Sequence, residues 1–235
     1  MRTVVLLELS QLWHRLGGSR GLLMIGAVAA LGVLLPMRLG PALLDPAYLL
    51  AYSLLAAVFS GTYSIQSWAG SDERAWLENR GDDGPTDTEV LRGKNFVASL
   101  YGITAWAVIL GASLAALANL YNRAFFPPLA IFAALTLFTL SLSAVAASGA
   151  AMLAVRFETP ALARQMFRLA LFFFVVAGII LTRAFPAIGS AISDPDAVFI
   201  LLLAAPAVLI GLAGLFGWLT LRSLADRRVS LSIKS

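Results

Sequence analysis

The chain has no cysteine and a single histidine, and only 13% of its 235 residues are charged. The first absence excludes disulfides, thiolate metal sites and a cysteine nucleophile, and leaves the compartment open. The second leaves His14 without a histidine partner for a metal or proton relay, so it reads as a solvated residue on a polar helix face. The third sets the chain apart from soluble domains, about a quarter of whose residues are charged. Hydrophobic residues make up 60% of the chain and the mean hydropathy is +0.85. Apolar runs of about 20 residues recur, which predicts an all-α polytopic membrane protein forming one transmembrane domain over 1–235. The formal net charge of +4 then reflects basic cytoplasmic loops and not nucleic-acid binding.

Taken in order, residues 2–19 read as an interfacial elbow helix. Val5, Leu9, Leu12 and Leu16 recur at helical spacing, and Glu8, Gln11, His14 and Arg15 fall elsewhere round the wheel. Gly17-Gly18 ends it, Trp13 is expected at headgroup depth, and the polar interruptions argue against a cleavable signal. Six spans follow, at about 21–36, 48–70, 96–120, 129–155, 169–181 and 198–221. Pro36 to Pro41 is expected to turn span 1 out, and Gly26 with Ala30 to let it approach a neighbour closely. Span 2 is the most polar; Tyr52, Ser60, Thr62, Tyr63 and Gln66 either bond other helices or line a substrate path. Ser141, Ala144, Ser148 and Ala151 form a packing stripe on span 4. Thr159-Pro160 reads as the start of a short helix, after which span 5 looks short. Residues 184–197 read as a broken, half-inserted external segment, and the tail from Arg222 is short and basic. Fourteen Lys/Arg fall on the side of the termini and three on the other, so both termini are expected in the cytoplasm.

No assigned span holds an internal Asp, Glu, Lys, Arg or His. A charge at the bilayer centre costs about 2.5–3.5 kcal/mol on insertion scales and is kept only for function. That absence argues against an ion-coupled carrier, a proton pump, a voltage sensor and an intramembrane zinc or aspartyl protease. There is no Gly-x-Ser-x-Gly elbow, and the Gly93-Lys94 pair lacks the earlier glycine of a nucleotide-binding loop, since Thr88 stands there. No cofactor is expected in this chain; energy for any driven transport must come from another one.

What is present is a polar run from Ser71 to Asn95 with seven of the 13 acidic residues and four of the 17 basic ones. A bare connection needs only about 4–6 residues. Residues 73–78 read as a short helix, residues 81–85 as a break, and Thr86-Asp-Thr-Glu89 as a capping box that starts a helix running into span 3. This helix–turn–helix is suited to docking a soluble partner and passing motion to spans 2 and 3.

The layout, together with Asp72-Glu73-Arg74 and Thr88-Glu89-Val90-Leu91-Arg92-Gly93-Lys94-Asn95, resembles the ABC-2 type permeases, the membrane subunits of type V ATP-binding-cassette exporters. Trp76-Leu77-Glu78 stands where that family has Thr-Leu-Glu before a proline-containing turn. The resemblance covers the whole chain and implies a multi-pass protein of the inner (cytoplasmic) membrane. It implies a pair of permease chains, homo- or heterodimeric, each docked to a cytoplasmic ATPase that holds ATP and magnesium. The ATPase contacts it implies are Asp72, Glu73, Arg74, Glu78, Arg80, Glu89, Arg92 and Lys94. An amphipathic or hydrophobic cargo suits the glycine- and proline-bearing spans 1 and 6. The alternative is a membrane scaffold or assembly factor whose loop recruits a soluble protein without transport. A passive channel lacks a charged ring or filter sequence.

Overall fold

The structure is a computed structural model and describes residues 2–17, 19–44, 46–69, 84–124, 126–157, 159–184 and 194–232. Seven helices account for nearly all of them: α1 (Arg2–Gly17), α2 (Ser19–Leu39), α3 (Pro46–Ala69), α4 (Asp87–Tyr121), α5 (Leu129–Arg156), α6 (Pro160–Ala184) and α7 (Pro195–Ser232). Six of them, α2 to α7, are long and apolar enough to cross a membrane. The described residues contain no strand. This is a multi-pass helical membrane protein with a short N-terminal helix.

The distribution of side chains follows from lipid as the solvent. Large apolar residues such as Leu34, Phe172, Phe173, Ile200 and Val208 face outward, and hydroxyls turn inward. Ser53 and Thr139 share a 2.7 Å bond between α3 and α5; Ser60 donates to the Ala98 carbonyl of α4 and Ser64 to the Ala147 carbonyl of α5. A polar group facing hydrocarbon would be unsatisfied, so such groups tie helices together. The α5 helix sits at the centre, packed chiefly on α3 and α7, while α4 packs on α3, α2, α5 and α1. The small residues of α5 allow this: Ser141, Ser148 and Ala151 are buried and Ala144 half-buried, as the stripe predicts.

Several expected boundaries shift. Span 1 does not end at Pro36: α2 continues to Leu39, a 3-10 turn covers Gly40–Leu44, and Gly40 takes the positive φ of 58° that turns the chain. Pro36 has no N–H for the Gly32 carbonyl, and the Ser113 hydroxyl of α4 donates to that carbonyl at 2.9 Å. The Tyr52 hydroxyl of α3 shares a 3.0 Å bond with Ser113. Close approach of α2 does not use Gly26 and Ala30, which are exposed. It uses Gly32, where a Cβ would stand 2.7 Å from the Ile109 carbonyl oxygen.

The Thr159-Pro160 start is correct, with the Leu162 N–H donating to the Thr159 hydroxyl at 3.3 Å. The helix it opens is not short. It runs unbroken through Arg164 and Arg168 into span 5, so that span is not short either. Arg164 and Arg168 stay exposed at its basic end, which lets the helix continue without burying charge. Phe167 packs on Gly61 of α3, whose missing side chain leaves room for the ring. The basic tail from Arg222 is helical, because α7 continues to Ser232. The expected external segment 184–197 falls mostly on residues 185–193, which lie outside the described residues.

Candidate functional site

The site is built where the polar run meets the bundle. Thr86 caps α4 with extended backbone, φ −64° and ψ 156°. Its hydroxyl accepts from the Glu89 N–H at 3.3 Å, and the Glu89 carboxylate accepts from the Thr86 N–H at 3.1 Å. This reciprocal pair satisfies two otherwise open N–H groups and fixes where the helix begins. Four residues on, Val90 and Leu91 are already in the core with Val4 of α1 and Trp68 of α3. A helix capped in the polar run is therefore gripped by the bundle within its first turn. Replacing Thr86 by alanine is expected to cost about 1 kcal/mol. Chemical denaturation in micelles, with Thr86→Ser as the neutral comparison, measures it.

Next comes Gly93. A Cβ there would lie 2.8 Å from Cγ1 of Val4, so glycine lets α1 lie against α4. The adjacent Lys94 points the same way and is 1% exposed; its partner Glu8 on α1 is 0% exposed. The ammonium donates to the Glu8 carboxylate and, at 2.7 Å, to the Ser67 carbonyl of α3. The Tyr63 hydroxyl donates to the other carboxylate oxygen of Glu8 at 3.1 Å. The Trp68 ring lies 5.7 Å from the ammonium nitrogen. One opposite-charge pair thus joins α1, α3 and α4, and each charge has further hydrogen-bonding partners. That matters because desolvating each ion costs several kcal/mol, which only close pairing and full hydrogen bonding offset.

The depth is consistent with the cost. At 1.5 Å per residue α4 is about 52 Å long, against a hydrocarbon layer of about 30 Å. Lys94 stands about 11 Å from its start, at the edge of hydrocarbon if the helix is centred. One residue further, the Asn95 amide donates to the Ser148 hydroxyl at 3.0 Å and adds α5 to the junction.

The expected partner-contact residues separate into three groups. Asp72, Glu73, Arg74, Glu78 and Arg80 lie outside the described residues. Glu89 caps its own helix and Arg92 is exposed on α4. Lys94 is enclosed, so it braces the bundle and offers no surface to a partner. Of the span 2 residues, Tyr52, Ser60 and Tyr63 are buried against other helices, which is the interhelical reading of span 2. Thr62 is half-buried and Gln66 exposed.

Glu8 is the residue of this junction that sequence reasoning misplaces. The helical wheel puts it on the polar side of an interfacial helix, yet it faces the bundle, while Leu6, Leu7 and Trp13 are exposed. One signal does mark it: Glu8 is the sole acid before Asp45, and the Gly93-Lys94 pair supplies both the clearance and the cation. Comparison with family models, curated proteins and solved structures found no match to this chain.

Proposed function

We propose that this protein is the permease subunit of an ATP-binding-cassette exporter of ABC-2 type. It would move an amphipathic or hydrophobic cargo with energy from a separate cytoplasmic ATPase. The observation that carries this reading is the continuity of α4. It begins at a capping box in the charged run, engages the core at Val90, and passes through the Glu8–Lys94 junction into span 3. A push on the polar run is delivered to α1, α3 and α4 together, as coupling to an external motor requires. The ATPase, the second permease chain and the inner-membrane setting belong to the same proposal.

The test is affinity purification of the full chain from its native membrane. An ATP-binding-cassette ATPase is expected to co-purify, with activity that depends on the permease. Reversing Glu73 and Glu78 to lysine should lower that activity about tenfold or more, as like charges replace complementary ones at the contact. Unchanged turnover defeats the coupling role. A soluble partner that is retained without nucleotide hydrolysis supports the scaffold reading instead.

A further inference from the structure

A groove of about 690 Å³ opens on the lipid-facing side between α4, α5 and α7. Its two ends differ chemically. Arg92, Asn95 and Trp218 mark the end nearest the polar run; Ile103, Leu140 and Ala213 mark the deep end. Arg92 is exposed, and Arg222 lies over the exposed Trp218 ring at 5.7 Å, a second cation at the same end. Trp and Arg pairs of this kind sit at headgroup level. From Arg92 to Ile103 is 11 residues of helix, about 16 Å, which matches one leaflet of a hydrocarbon layer about 30 Å thick. The floor is open at Gly214, where a Cβ would meet nothing within 4 Å.

We infer that this groove binds one anionic glycerophospholipid from the leaflet on the Lys/Arg-rich side of the membrane. The phosphate meets Arg92 beneath Arg222, and an acyl chain lies along the apolar walls towards the bilayer midplane. Charge complementarity and length select this occupant over another helix. A helix would set its own backbone beside Arg92 with no anion to meet it. The site stands apart from the permease proposal, since it needs only a bilayer and the orientation set by basic residues.

The experiment uses the purified full chain in micelles, offered phosphatidylglycerol and phosphatidylcholine with identical acyl chains at equal mole fraction. Native mass spectrometry counts the lipid retained. Phosphatidylglycerol should be favoured about fivefold for each basic headgroup contact. Arg92→Gln should reduce that preference by about fivefold and still retain lipid. Gly214→Leu should remove retention of both lipids by filling the floor. Gly211→Leu is the matched control: like Gly214 it has open space where a Cβ would go, but it does not line the groove. Equal retention of the two lipids by the wild-type chain overturns the proposal. So does equal behaviour of the Gly214 and Gly211 variants, or displacement of the lipid by millimolar inorganic phosphate alone. Loss of chain dimerisation in Gly214→Leu, with lipid retention unchanged, would assign the groove to a second copy instead.

Discussion

Replacing Lys94 by methionine is expected to cost about 3–5 kcal/mol of stability, the largest single-residue effect foreseen for this chain. The substitution keeps most of the side-chain volume but leaves the Glu8 carboxylate enclosed, with the Tyr63 hydroxyl still donating to it and no cation beside it. Stripping one member from a buried pair costs more than the pair itself contributes, because the stranded charge has lost its compensation. Replacing both members, Glu8→Leu with Lys94→Met, should therefore recover most of the loss. What remains is the cost of a Ser67 carbonyl that has lost its donor, about 1–3 kcal/mol for a buried group, because the Tyr63 hydroxyl keeps the main-chain carbonyl of residue 8 at 3.3 Å. Exchanging the two charges, Glu8→Lys with Lys94→Glu, should not rescue. It would set a carboxylate against the Ser67 carbonyl, two acceptors facing each other. Unfolding followed by tryptophan fluorescence, to which the neighbouring Trp68 contributes, reads all three variants. A charge exchange as stable as the wild type would show that the surrounding hydrogen bonds do not set the polarity of the pair.

Gly102→Leu is expected to cost about 2–3 kcal/mol. At this position a Cβ would meet the Ala56 carbonyl oxygen at 2.5 Å and the Ser60 hydroxyl at 2.7 Å. The first is backbone and cannot rotate aside. The second already donates to Ala98, so pushing it away breaks an α3–α4 bond. Overpacking of this kind costs about 1–3 kcal/mol, and the gain in helix propensity over glycine returns less than about 1 kcal/mol. Gly111→Leu in the same helix meets open space and should be neutral or stabilising. Opposite signs for two glycines nine positions apart would show that contact and not propensity decides; equal shifts in melting temperature would refute the close packing.

Much of the fold was legible because its signals are local. The Thr86–Glu89 cap and the Thr159-Pro160 start each depend on residues three or fewer positions apart. The apolar runs announce the spans because lipid admits few alternatives. Hydropathy set some boundaries wrongly because backbone helix continues where apolarity stops: Arg164 and Arg168 interrupt the run but not α6. Small residues showed that close approach was possible, yet Gly26 and Gly32 look alike until α4 is placed beside one of them. Glu8 was misread for the same reason. A wheel drawn on one helix sends a lone carboxylate to water, and only the position of Lys94, 86 residues later, reverses that.

Pro36 interrupts the main-chain ladder of α2, and a serine on a neighbouring helix supplies the missing rung. That hydroxyl contact joins the packing of Leu39 on the core in fixing how residues 37–44 stand against α4. Stiffness of α2 at its proline is then governed by Ser113, and through it by Tyr52, so that one side chain on α4 regulates the play of another helix.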